Sequence, residues 1–377
     1  MHKLSPNGEV ARISHQFQVG AETRGLKPAE KRRSDPILSH ALVCILSLAL
    51  PSLTAPASLW ANGQNSQAPN GFSYWALGIP AVAPSATAGG AALMGGGGGS
   101  GIDDAFCWMC RRSGNGNFLV LGASGRDEDN LYVRRLCPQT RSVQTLIVSS
   151  RAGASDSFVA EKIRHADALF IQGGDQSNYI KYWMGTPMQD AINAFIARGG
   201  VLGGKSAGLA VLGQFVFAAL QDTVTSRQAL ADPYDSRVTL VRGFLEVPHL
   251  RGIITDTHFV ARDRLGRTLV FLARIMQDGW ARQGLGVAVD ENNTLLLESD
   301  GTASLTGPGA AYFFRARQAP QVCRAGLPLT LRHVEVYRIS SGDKFNLATW
   351  AGSGGTAYDL SAEAGVLHSS QPGGALY

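Results

Sequence analysis

The sequence predicts an α/β fold built on a mainly parallel sheet, and three observations carry that expectation. Residues 118–121, 146–148 and 168–171 are short runs without a single polar side chain. Helix-compatible stretches at 127–136 and 158–165 separate them, and a further one follows at 188–198. Val201-Leu202 then opens a fourth strand that ends in Gly203-Gly204. Strands that are apolar on both faces belong to parallel sheets covered by helices on either side. In such sheets ligands bind beyond the carboxyl ends of the strands.

Composition sets the frame around this core. With 377 residues, 45% of them apolar and 17% charged, the chain can bury a sizeable interior, which excludes disorder throughout. The net charge of +5 owes much to Lys27, Lys31, Arg32 and Arg33, so it does not argue for a nucleic-acid partner. That basic cluster precedes an apolar run at 41–50 and the small residues Ala55-Pro56-Ala57, the order of a signal peptide with a long basic lead. Residues 1–57 are therefore read as signal, cleaved after Ala57, and the protein as secreted or periplasmic. No segment reaches the ~20 uninterrupted apolar residues of a membrane span. Residues 58–104, rich in Gly, Ala, Pro, Ser and Asn and ending near a run of five glycines at 95–99, read as a linker. The folded domain is placed at 105–340, with short strands from about 303 to 339 forming a β-rich edge, and 341–377 as a flexible tail.

Cys44 falls in the signal, which leaves Cys107, Cys110, Cys137 and Cys323. In an oxidising compartment this even number suits disulfides or inert thiols, with the pairing open. Cys107-Trp108-Met109-Cys110 lacks both the second C-x-x-C of a zinc site and the preceding strand of a thioredoxin fold.

The chemistry concentrates at strand ends. Gly204-Lys205-Ser206-Ala207-Gly208 is a G-x-S-x-G elbow. Glycines on either side remove the Cβ atoms that would obstruct the turn, leaving a serine hydroxyl at its apex and the Ala207 N–H at a helix start. One strand earlier, Gly173-Gly174-Asp175-Gln176 can turn backbone N–H groups toward an anion, so Gly174, Asp175 and Ala207 are the candidate oxyanion hole. After Ile253-Ile254 come Asp256, Thr257 and His258, then Arg262, Arg264 and Arg267. Histidine is the usual partner of a nucleophilic serine, and three arginines beside it would trap carboxylates; the alternative is a solvated basic helix face. Residues 284–291 have the form of a strand ending in Asp290-Glu291, with 294–298 as a hairpin partner, and Glu291 could orient His258 or simply sit in a polar turn.

Together these motifs resemble the cyanophycinase branch of the serine peptidase family that also contains an aspartyl dipeptidase. The resemblance spans about residues 117–307, and its specific part is His258-Phe259-x-x-Arg262-Asp263-Arg264-x-x-Arg267. It implies a flavodoxin-like three-layer sandwich akin to class I amidotransferases, dimerisation, and no cofactor or metal. It implies cleavage of cyanophycin, a polyaspartate carrying arginine on its side chains, to β-Asp-Arg dipeptides. By position it makes Ser206 the nucleophile, His258 the base and Glu291 the orienting acid, with Gln176, Asp256, Arg262, Arg264 and Arg267 binding substrate. The dipeptidase branch draws its acid from the segment after the serine, which makes Asp222 a rival to Glu291. Lys205 stands where the family has a small or uncharged residue, and Thr257 where it often has glutamine. A β-aspartyl dipeptidase, a non-catalytic binder of acidic peptides and an unrelated esterase are the alternative readings.

Overall fold

Alternation along one buried strand sorts the core into two layers. The computed structural model describes residues 71–377 and the backbone of a short strand at Ser66–Ala68; the expected signal at 1–57, with Cys44, lies outside the described residues. Every residue of Asn117–Gly122 is buried. Phe118 and Val120 join Phe106, Met109 and Phe170 on one face, while Leu119 and Leu121 join Ile163, Trp183, Ile192 and Phe195 on the other. Successive strand side chains point to opposite faces, so one apolar run serves two helix layers. Helices Ser100–Arg112 and Glu128–Leu136 supply the first layer, and Ser157–Arg164, Gln176–Trp183 and Pro187–Ala197 the second.

Parallel neighbours extend from this strand in both directions. Ser142–Val148 lies on one side; on the other come Ala168–Ile171, Val201–Lys205 and then Ala91–Met94. Phe72–Gly78 pairs antiparallel with Ser142–Val148, and Thr294–Leu297 antiparallel with Ala91–Met94. The fold is thus mixed α/β.

A second sheet supplies the rest of the scaffold. Ile253–Asp256 runs parallel to Phe215–Phe217 and to Gly284–Val289, in a register that sets Asp256 opposite Ala288. Thr257-His258 and Asp290-Glu291 therefore leave neighbouring strands side by side. Beyond Gly284–Val289 the sheet continues antiparallel through Ala311–Ala316, Leu331–Ile339, Thr356–Glu363 and Val366–Ser369. Helix Leu265–Gln277 covers it so closely that a Cβ on Gly284 would stand 2.9 Å from Leu272 Cβ.

Three sequence expectations are corrected. The stretch expected as a linker contains the strand Phe72–Gly78, the fully buried strand Ala91–Met94 and the start of helix Ser100–Arg112. Ala-Ala-Leu-Met is too short to stand out between glycines, but partners on both sides pair all of its backbone. The stretch expected as a flexible tail is also ordered: Tyr358, Leu360 and Ala362 alternate inward along Thr356–Glu363, a period-2 signal carried by only three residues. Finally, Thr294–Leu297 does not fold back on Gly284–Val289; it crosses into the first sheet. No helix among the described residues is long and apolar enough to cross a membrane.

Cys110 and Cys137 form a disulfide across 27 residues, tying helix Ser100–Arg112 to the end of Glu128–Leu136. Cys107 and Cys323 are free, and burial pushes the Cys323 thiol up to about 12, which leaves it inert. Closing a loop of that length removes denatured-state entropy worth about 3–4 kcal/mol. Non-reducing peptide mapping should recover a Cys110–Cys137 crosslink, and Cys110→Ser should lower the urea midpoint; an unchanged midpoint would show that the bridge contributes no stability.

Candidate active site

The strand Val201–Lys205 delivers Ser206 into a conformation that few residues adopt, with φ +56° and ψ −116°. The turn exists because its neighbours are glycines. A Cβ on Gly204 would lie 2.5 Å from Gly208 O, and one on Gly208 would lie 2.1 Å from Ile171 O. Strain of this kind amounts to about 1–3 kcal/mol and persists where the surroundings over-determine it. Ser206 Oγ then points at His258, donating to Nε2 at 2.6 Å. His258, 5% exposed and with φ +46°, donates from Nδ1 to Glu291 Oε1. That bond fixes the tautomer, leaving Nε2 as the acceptor for the serine proton.

Backbone from the expected linker binds this relay together. Ser206 N donates to Met94 O at 3.0 Å, His258 N to Gly95 O at 2.8 Å and Asn292 N, next to Glu291, to Gly96 O at 2.8 Å. Gly96 lies flat against the imidazole: a Cβ there would stand 2.2 Å from His258 Cε1. A glycine run signals close backbone approach as well as flexibility, and here the former holds. Asp290 was likewise missed as an anchor; its Oδ1 accepts from Val260 N and Ala261 N, both at 3.1 Å, and so holds the turn after His258.

Ser206 opens onto a cavity of about 540 Å³, whose lining includes Gly174, Asp175, Gln176 and Ala207. Gly173 lies beside the serine: a Cβ on it would be 3.4 Å from Ser206 Cβ, in van der Waals contact. Gln176 Nε2 donates to Phe217 O at 3.4 Å on the same wall. Lys181, unremarked in the sequence, lines the cavity; Lys205, half-buried, does not. Asp222 is also on the wall, where its Oδ1 accepts from Thr223 N at 2.6 Å. It is Glu291, not Asp222, that meets His258.

The arginines divide into two kinds. Arg262 is half exposed and its Nε is 3.5 Å from Glu291 Oε1. Arg267 is 3% exposed and grips the equally buried Asp256, with Nε donating to Oδ2 at 2.9 Å and Nη2 to Oδ1. Arg264 joins them, 3.5 Å from Asp256 Oδ1 and donating to Thr257 O and Oγ1 at 2.9 and 2.8 Å. This corrects the expectation that Asp256 meets substrate. Its carboxylate is saturated by Arg267, Thr268 Oγ1 and Thr257 N, and it is absent from the cavity lining. Removing one partner of such a buried pair costs about 3–5 kcal/mol. Burial pushes the Asp256 carboxyl up, but Arg267 and Arg264 more than offset this and hold it below the usual carboxylate range.

Residues 123–264, which include Ser206, His258, Arg262 and Arg264, match Peptidase family S51. Over this segment the chain is similar to peptidase family S51. It is 28% identical over 214 residues to the cyanophycinase of Synechococcus elongatus, an alignment covering 55% of this chain and 62% of that protein. It is 26% identical over 252 residues to the cyanophycinase of Geminocystis herdmanii (strain PCC 6308), covering 64% and 86%. The chain thus spans less than two thirds of the length of the first of these relatives. A solved peptidase from an acI-B1 Actinobacterium superposes at a TM-score of 0.48 and 16% identity over 69% of this chain and 97% of that one, too loose a likeness to argue from. The S51 segment stops short of Arg267 and Glu291.

The relay can be read electrostatically. Burial holds the His258 imidazole below its ordinary range, opposed by the bond to Glu291, and the nearby Arg262 and Arg264 add to the lowering. Glu291 is lowered first by its bond to His258. A neutral imidazole with one acceptor nitrogen on a serine hydroxyl can take that proton. Gly96→Ala, which drives a methyl into the imidazole, should slow labelling of Ser206 by a sulfonyl fluoride at least about a hundredfold, whereas Gly98→Ala, with nothing within 4 Å, should label at the wild-type rate. Intact-mass kinetics read both, and equal rates would separate Gly96 from the relay.

Proposed function

We propose that the protein is an exported serine-type exopeptidase that hydrolyses cyanophycin to β-Asp-Arg dipeptides through an acyl-enzyme on Ser206. One observation carries this reading: the Ser206–His258–Glu291 relay opens onto a cavity with cations on its wall. Ser206 Oγ attacks the scissile carbonyl as its proton passes to His258 Nε2, and Glu291 stabilises the imidazolium. The N–H groups of Gly174, Asp175 and Ala207 hold the oxyanion of the tetrahedral intermediate. His258 then gives the proton to the leaving amine, and an ester remains on Ser206. Water, deprotonated by the same imidazole, attacks the ester and frees the dipeptide.

Arg262 and Lys181 suit the free carboxylates of the arginines attached along such a polymer, and Asp222 and Asp175 on the same wall suit its guanidinium groups. The names of the relatives support cyanophycin as substrate. The Cys110–Cys137 bridge supports export; native protein with both thiols reduced and residues 1–57 retained would refute it. The parallel order Ser142–Val148, Asn117–Gly122, Ala168–Ile171, Val201–Lys205 supports a flavodoxin-like, class I amidotransferase-like reading of the first sheet. A homodimer, implied by the family resemblance, is read by light scattering.

Purified protein should release β-Asp-Arg from insoluble cyanophycin, and Ser206→Ala should release none. Polymer left intact beside a cleaved β-aspartyl dipeptide would move the specificity to the dipeptidase reading. Because burial disfavours the imidazolium, His258 stays neutral to lower pH than a free imidazole, so the acid limb of kcat/KM should fall below pH ~6.5. Glu291→Gln removes the group that raises His258, so that limb should move lower still while kcat drops up to ~10⁴-fold. A limb that moves upward would contradict the assignment.

A further inference from the structure

The turn that carries His258 is anchored from two sides. Asp290 holds the Val260 and Ala261 N–H groups on the side of the relay. On the other stands Tyr377, from the stretch expected to be a flexible tail. Its hydroxyl donates to Asp263 Oδ1 at 2.8 Å and accepts from Leu265 N, at the start of helix Leu265–Gln277, at 3.3 Å. Its ring stands edge-on to Phe259, with centroids 5.5 Å apart, and to Tyr312 at 6.2 Å. Phe259, the residue after His258, has no exposed surface and packs also on Tyr312 and Phe314.

The turn needs such bracing. His258 and Asp263 both sit at φ +46°, a region that residues with a Cβ avoid, and they bracket Arg262. Backbone bonds from Arg262 N to His258 O and from Arg264 N to Phe259 O close it internally, and the Ser226 hydroxyl donates to Asp263 O. Tyr377 is the group that ties the Asp263 side chain, the helix start and the Phe259 ring to one point.

We infer that Tyr377 is a positioning residue for the His258 turn, holding Asp263 and Phe259 so that the imidazole stays in line with Ser206. The inference rests on reading the relay as that of a serine hydrolase. Tyr377 acts through Phe259 and Asp263, not on the reacting atoms. Burial and the neighbouring Asp263 raise its phenol well above the ordinary range, so the hydroxyl remains a donor throughout the working pH range. The charged groups around His258 are Glu291, Arg262 and Arg264.

The test reads Ser206 directly and needs no peptide substrate. Labelling of the full chain by a sulfonyl fluoride is followed by intact mass across pH, with Ser206→Ala as the blank. Tyr377→Phe keeps the ring and loses only the hydroxyl; it should label about three- to tenfold more slowly, as expected for loss of one or two hydrogen bonds. Its acid limb should move up toward the ordinary imidazole range, because a loosened turn admits water to His258. Tyr377→Ala, which also frees Phe259, should be slower still. Wild-type rate and an unmoved limb in Tyr377→Phe would overturn the inference, and so would slowing with an unmoved limb, which marks lost stability alone. A wild-type protein that takes no label overturns the hydrolase reading itself, and this inference with it.

Discussion

Three consecutive carbonyls, those of Met94, Gly95 and Gly96, are the contact on which the site depends. They accept from Ser206, His258 and Asn292, and so fasten the serine elbow, the histidine turn and the segment of the acid to one backbone. The carbonyls can come so close because glycines at 95 and 96 present no side chain: a Cβ on Gly95 would stand 2.0 Å from Asp290 O. The strand that leads to them, Ala91–Met94, is paired on both sides within the first sheet. Ser206 and His258 issue from different sheets, and this stretch is where the two meet.

Charge around the relay is sorted by burial. Asp256 and Arg267 are committed to each other in the interior, with Arg264 as a partial third, and together they stiffen the base of the histidine turn. Burial and neighbouring charges also draw Arg264 down to about 10, a guanidinium held under stress yet still a cation at neutral pH. Arg262 alone of the three is half exposed. A basic cluster in a sequence is therefore not a single functional unit: one member meets solvent while another balances a buried carboxylate. Arg262 also helps depress both His258 and Glu291, so a charge that suits an anionic substrate tunes the base as well.

Much of this was legible in the chain itself. Wholly apolar runs separated by helix-compatible stretches sufficed for a parallel sheet with helices on both faces, because burial on both faces leaves no room for polar alternation. The elbow at Ser206 was legible because so sharp a turn demands glycine on both sides. Segments whose strands are short or built from small residues were not. Ala91–Met94 pairs with Thr294–Leu297 two hundred residues or more away, and Thr356–Glu363 joins its sheet through Leu331–Ile339, 18 to 31 residues away, besides its hairpin partner Val366–Ser369; no short window contains the distant partners.

The sequence by itself determined the chemistry available: a serine on a strained turn, a histidine after a strand, carboxylates after another, and cations beside them. Which of these groups meet was decided by tertiary structure alone. The register of Ile253–Asp256 against Gly284–Val289 brings Glu291 to His258 and leaves Asp222 on the cavity wall. Packing of helix Leu265–Gln277 turns Arg267 inward onto Asp256 and removes that carboxylate from the cavity. The physical reason is common to both cases. A residue's type fixes what it can donate, accept or carry, but burial and partner distance fix which of those capacities is spent inside the protein, and both are properties of the folded chain.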